Sequence, residues 1–181
     1  MDEQLVIRDM VEADIPAAQQ VMTRSVREDF GDAYNPVIHA DIDDLRGTYM
    51  RPEGAFMLVV EDSSTGEVVA TGGIRSGAFD PERVQPQIAH LERRYRDGRT
   101  GQIVRVYVLK EHRRRGIARA LVRAIIERAR DDAYYERLAL HTYPHSPGAL
   151  PFWLAMGFEV VFDDMDGSRQ MYFELPARPE R

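Results

Sequence analysis

The sequence predicts one α/β domain of the α+β type, with a central mixed sheet of about seven strands flanked by helices. Three observations carry this. Seven short apolar or alternating runs are spread along the 181 residues. Two longer stretches between them have helical periodicity. "GQIVRVYV", "GIARALVRAII" and "RLALHT" form a strand, helix, strand unit, whose connection should be a right-handed crossover. The length suits one domain with a sizeable core, expected over residues 1–176, with a frayed tail at 177–181.

The elements follow in order. "QLVIRDM" reads as a short strand. In the helix after it, Asp14 is the expected N-cap, and Ile15, Ala18, Val21, Met22 and Ser25 share one face. "FGDAYNPVIH" has the Gly, Asn and Pro of a loop, and "ADIDDLRGTYM" reads as a second short helix. "AFMLVVED" and "GEVVATGGI" make a hairpin around "SSTG". The polar connection of residues 76–100 is long, and Ile88, Leu91 and Tyr95 have the spacing of an extra helix within it. "GQIVRVYVLK" is apolar on both faces, as a central strand should be. Ile117, Leu121, Ala124, Ile125 and Arg128 mark one face of the amphipathic helix that follows. "RLALHT" is a strand, "SPGALPFWLAMG" a short helix, and "FEVVFDD" and "RQMYFEL" a closing hairpin.

Composition narrows the function classes. There is no cysteine, which excludes disulfides and thiolate metal sites, and no metal is expected. The net charge of −6 argues against broad nucleic-acid binding. No apolar run approaches the roughly 20 residues that span a membrane. The early residues are acidic, unlike a secretory signal, so the expectation is a cytoplasmic protein. Lys110 is the one lysine among 24 basic residues, so a run of arginines is a weak motif by itself.

The informative stretch is "EHRRRGIARALV". A helix N-terminus after a buried strand presents unpaired N–H groups and partial positive charge, a place for phosphate. Gly116 lets backbone approach such a ligand, and Ala118 is the next smallest choice. Neither common nucleotide loop is present: there is no Gly-x-Gly-x-x-Gly and no Gly-Lys-Ser/Thr.

"VRVYVLKEHRRRGIARALV" resembles the cofactor motif of GNAT-superfamily N-acetyltransferases, an apolar-x-Val strand end followed by Gln/Arg-x-x-Gly-x-Gly/Ala. Arg113, Gly116 and Ala118 occupy the three specified positions. "SPGALPFWLAMGFEVV" resembles the family's second segment, with Ala149 and the Gly157-Phe158 pair in register. The order of elements agrees over nearly the whole chain.

The resemblance implies a GNAT-like, largely antiparallel sheet that splays at the cofactor strand. It implies acetyl-CoA as the acetyl donor and an amine, of a small molecule, as acceptor. The amides of Arg114, Arg115, Gly116, Ile117 and Ala118 would cradle the pyrophosphate, with Arg113 and Arg119 near its phosphates. The backbone of Val106 and Val108 would pair with the pantetheine arm, beside Tyr107. The amide of Val108 or Leu109 would steady the oxyanion. The sequence departs from the family at three positions. Gln102 stands where many members have Glu, Trp153 where they have Tyr, and Ser146 where they have Asn. Ser146 would keep a polar contact to the cofactor, and Trp153 would pack against cofactor or core.

The acceptor must still lose a proton, since an amine of pKa about 10 is an ammonium at neutral pH. His141, Tyr143 and His145 are the candidate groups, with a water chain as the alternative. On the acceptor side, Asp29, Asp32, His39, Asp41, Asp43 and Asp44 would suit a cationic amine. The alternative for Asp41, Asp43 and Asp44 is an ordinary acidic helix start. Arg75 and Arg105 would instead suit an acceptor with a carboxylate. A homodimer is a further expectation. A non-catalytic acyl-CoA sensor of the same fold is the competing reading.

Overall fold

The computed structural model describes residues 4–31, 34–77, 89–95, 98–132, 134–143, 148–164 and 170–176. The order of elements is β1 (Leu5–Asp9), α1 (Ile15–Phe30), α2 (Ala40–Asp43), β2 (Phe56–Asp62), β3 (Glu67–Ser76), α3 (Ala89–Tyr95), β4 (Thr100–Val108), α4 (Ile117–Asp131), β5 (Arg137–Thr142), α5 (Ala149–Ala155), β6 (Glu159–Asp164) and β7 (Gln170–Pro176). The hydrogen-bonded strand order is β1-β2-β3-β4-β5-β7-β6, the expected seven-stranded mixed sheet. The tail at 177–181 lies outside the described residues.

Two compact units make up the fold, one of Met1–Arg75 with Val104–Ile125 and one of Ser76–Ile103 with Ile126–Arg181. In the first, β1, β2 and β3 form an antiparallel meander. The second half of β4 lies along β3, where the Leu109 N–H donates to the Val69 carbonyl at 3.0 Å. α1 buries Ala18, Val21, Met22 and Val26 against Ile42, Leu45, Tyr49, Met57 and Val59. Its apolar residues recur at helical spacing, and that stripe is what folds it onto the sheet. α4 meets β3 at Gly72, where a Cβ would stand 3.0 Å from the Ile125 side chain and 3.1 Å from Leu121. Glycine there lets two fully buried aliphatic side chains seat, each worth roughly 1.5–3 kcal/mol of burial.

In the second unit β5 pairs antiparallel with β7, and β7 with β6. The start of β4 pairs parallel with β5 over Thr100–Gln102 only, against Arg137–Ala139. The described ladder stops there, three residues into a nine-residue strand. α3 is the extra helix expected in the long connection. Its Leu91 and Tyr95 are buried against Ala139 and Tyr172. The Tyr95 hydroxyl donates to Glu174 at 2.8 Å, and Arg94 pairs with the same carboxylate at 2.7 Å. Ile88 lies outside the described residues.

Three local expectations are refined or corrected. Asp14 holds the N-cap position of α1 as expected, but its carboxylate turns back to the Val11 N–H and to Arg8 and makes no cap hydrogen bond to the helix. Arg8 also bonds Glu61, so Arg8 ties β1, β2 and the helix entry together. The second helix is not continuous. It breaks at Asp44, whose carboxylate accepts from the Gly47 N–H at 2.8 Å, and a π-helical turn follows over Arg46–Met50. Nor is β4 buried throughout: Val104 to Tyr107 are only half-buried, in the part of the strand beyond its β5 ladder.

Candidate functional site

The loop after β4 is shaped by its backbone. Arg113 is extended, Arg114 is left-handed at φ +61°, and Gly116 is left-handed at φ +79°. Left-handed residues two apart bend the loop sharply just before the helix start, the kind of backbone from which anion-binding concavities are built. A Cβ on Gly116 would meet no atom within 4 Å. The left-handed conformation is therefore what calls for glycine within this chain. The bond from Ala120 N–H to the Gly116 carbonyl opens the α4 ladder at 3.0 Å. The N–H groups of Gly116, Ile117, Ala118 and Arg119 precede it, so helix geometry gives them no intrahelical acceptor.

The side chains around this loop divide by role. Arg113 forks onto Asp29 of α1, at 3.0 and 2.8 Å, and donates from Nε to the Val108 carbonyl at 2.8 Å. In this structure it clamps the loop to α1. Arg24 binds Glu111 and Glu28, and Lys110 reaches Glu28 at 3.8 Å, so α1 grips the loop at several points. Arg114, Arg115 and Arg119 are exposed, and Arg115 contacts His112 at 3.1 Å. Ile117 is buried and anchors the first turn.

At the end of β4, the expectation for Leu109 is corrected. Its amide already donates to Val69, so it has no proton for an oxyanion. Amide direction alternates along a strand, which turns the N–H groups of Val108 and Val106 to the edge away from β3. Arg105 sits between with φ +55°, a left-handed residue in mid-strand.

Arg105 anchors a buried cluster, and this corrects the acceptor-side expectations. Its Nε and Nη2 donate to the two oxygens of Asp41, and Nη2 also reaches the Ile38 carbonyl at 3.3 Å. The Tyr49 hydroxyl donates to Asp41 as well. Asp41 and Arg105 side chains are only 6% and 13% exposed, so Asp41 serves this ion pair and not merely a helix dipole. Burial opposes the Asp41 charge, but the Arg105 hydrogen bonds and charge overcome it and hold the carboxyl below its usual range. Burial likewise opposes the Arg105 charge, and Asp41 again outweighs it. Burial and the Asp41 charge raise the Tyr49 phenol, which stays a neutral donor.

The other acids are also occupied. Asp29 holds Arg113, Asp43 accepts from the Tyr34 hydroxyl, and Asp44 holds the Gly47 amide. His39 accepts the Asn35 N–H at Nδ1, at 2.9 Å. Burial, then the Arg105 charge, push its pKa down. Asp32 lies outside the described residues.

Among the proton-transfer candidates, His145 lies outside the described residues, as does Ser146. Tyr143 is exposed just past β5. His141, also exposed, has its Nδ1 3.0 Å from the Gln102 amide. The residue at the family's Glu position thus touches a candidate base. One register fact explains it: Gln102 pairs with Ala139, two residues before His141 on the same face of β5. Trp153 is 8% exposed and meets Phe152 and Phe158 edge-on, which makes it a core ring.

The "Acetyltransferase (GNAT) family" model matches residues 20–158. N-acetyltransferase 8B of Rattus norvegicus is 32% identical over 123 residues, 67% of this chain and 47% of that protein. N-acetyltransferase 8 of Mus musculus is 31% identical over 122 residues, covering 67% and 46%. The chain spans about half the length of these curated relatives. An acetyltransferase of the GNAT family from Staphylococcus aureus superposes with a TM-score of 0.73 at 13% identity, over 96% of this chain and 99% of that one. The yncA structure from Salmonella typhimurium, solved with its cofactor acetyl-CoA, superposes at 0.68 with 16% identity, over 98% and 96%. The match over most of the chain, together with the fold and the loop just described, shows that it belongs to the GNAT family of acetyltransferases.

Proposed function

We propose that this protein transfers the acetyl group of acetyl-CoA to the amine of a small molecule, by direct attack of the amine on the thioester. The observation that carries the reading is the alternating loop at Arg114 and Gly116, running into the open N-terminus of α4. That arrangement fits the pyrophosphate of CoA: it has unpaired amides, open space over Gly116, and the exposed charges of Arg114 and Arg119. Bound there, acetyl-CoA supplies an acetyl group already activated as a thioester. Val106 and Val108 would line the pantetheine with backbone, and the Val108 N–H is the remaining oxyanion donor. His141, whose Nδ1 lies 3.0 Å from the Gln102 amide, is the described candidate to take the acceptor's proton.

Gln102 also favours a second reading, a protein of this fold that binds acyl-CoA without turnover, because an amide cannot act as a base. Incubation with acetyl-CoA and a panel of amines, reading thiol release, separates the two. Turnover on an amine supports the enzyme. CoA binding with no turnover on any amine overturns it in favour of the sensor.

A further inference from the structure

The Asp41 cluster holds one more cation than it can use. Arg75, on β3, points its guanidinium at the same carboxylate, but its Nη1 stops 3.9 Å short, beyond a hydrogen bond. Asp41 already accepts three bonds, from Tyr49 and from Nε and Nη2 of Arg105. Arg105 is therefore spent on Asp41, whereas Arg75 has no other partner among the described residues and is 36% exposed. The two arginines against one carboxylate leave a net positive charge. His39 adds none near neutrality, since burial and Arg105 keep it uncharged. Asp43 is turned to the Tyr34 hydroxyl.

Arg75 is thus a cation drawn in by Coulomb attraction and left with hydrogen-bond donors to spend. Its planar fork matches one group best, a carboxylate taken in bidentate fashion. The face it occupies also carries Asp41, Tyr49 and Arg105, in the unit that holds Val106 and Val108. We propose that Arg75 binds a carboxylate of the acceptor, so that the acceptor is an amino acid or a close relative, bearing both an amine and a carboxylate. This rests on the acetyl-transfer reading above and names the acceptor class for it.

The test pairs each of a set of L-amino acids with its methyl ester, in the wild type and in Arg75→Gln and Arg75→Lys. Esterification makes the amine less basic and so easier to deprotonate, which works against the expected result. The wild type should favour the free acids in kcat/KM, chiefly through KM, by roughly 10- to 100-fold, the range of a charge-assisted hydrogen-bonded pair. Arg75→Gln should collapse that acid-to-ester ratio, and Arg75→Lys should restore part of it, a point charge without the fork. Equal use of acids and esters by the wild type would overturn the proposal, as would an unchanged ratio in Arg75→Gln. So would a loss of CoA affinity in that variant, because it would place Arg75 on a phosphate of CoA. If no amine is acetylated, the enzyme reading fails and the Arg75 Nε–H resonance of the CoA-loaded protein decides this one separately. A shift of that resonance by the amino acids and not by their esters supports a carboxylate site, and its absence sinks it.

Discussion

Arg105 keeps a left-handed backbone in the middle of a strand, a conformation that costs an arginine about 1–3 kcal/mol. Asp41 accounts for its survival. The pair is buried and two-pronged, and Tyr49 completes it, so releasing Arg105 would strand a charge. Asp41→Asn should therefore cost about 3–5 kcal/mol of unfolding free energy in urea, the usual penalty for leaving a buried ion without its partner. Tyr49→Phe should cost about 1 kcal/mol, one hydrogen bond. A small loss from Asp41→Asn would mean that the left-handed backbone at Arg105 is held by other contacts. None of this was legible beforehand for a physical reason. Asp41, Asp43 and Asp44 look alike in "ADIDD", and the partner that distinguishes Asp41 lies 64 residues away. The Arg113 pairing is long-range in the same way. The place of Arg113 in the motif was readable, but its partner Asp29 is 84 residues distant.

At the scale of elements, α4 was the clearest. Its apolar stripe and the glycine before it are local, and both survive in the structure. The helix start also offers a cleaner probe of cofactor binding than Gly116 does. Any side chain at position 116 must take φ +79°, so a glycine variant mixes about 1 kcal/mol of backbone strain with any effect on the ligand. Ala118 is helical and half-buried in the first turn. Ala118→Glu places a carboxylate where the helix dipole favours it, by about 0.3–1 kcal/mol. It would also set that charge against a pyrophosphate bound where we propose, and two like charges near 4 Å cost about 4 kcal/mol at a protein surface. The expected result is a melting temperature unchanged or raised, with CoA affinity lowered at least roughly tenfold by calorimetry. Unchanged affinity would remove the α4 N-terminus from the binding site. α3 was only half legible. Its two buried positions show in the sequence, whereas the sheet face it covers is set by Ala139, Tyr172 and Glu174 on later strands.

For the whole molecule, the order of elements and the seven strands could be read because periodicity and turn residues are local signals. The roles of the acids that look like a cationic-amine mouth could not, because pairings set them: among the described residues, Asp29, Asp41, Asp43 and Asp44 each have a partner within the chain. Those pairings give stability a particular dependence on pH. The hydrogen bonds from Arg8 depress Asp14, and those from Arg105 depress Asp41 against its burial. A carboxyl depressed on folding stabilises above its unfolded value of about 3.9 and loses that contribution as pH falls through the folded value. His39 is depressed too, by burial and then by Arg105, and its Nδ1 must stay unprotonated to accept from Asn35. Its contribution is complete above the unfolded value of about 6.5 and declines as pH falls from there toward its folded pKa. Unfolding free energy measured in urea should thus be level just above neutrality. It should dip gently once pH drops below about 6.5, then fall more steeply below about 4 as the two carboxyls protonate. His39→Gln keeps an acceptor for the Asn35 amide but cannot titrate, so it should erase the upper dip and leave the lower fall in place. A dip that persists in His39→Gln would assign it to another group, and a lower fall that Asp14→Asn and Asp41→Asn leave unaltered would separate acid stability from these two pairs.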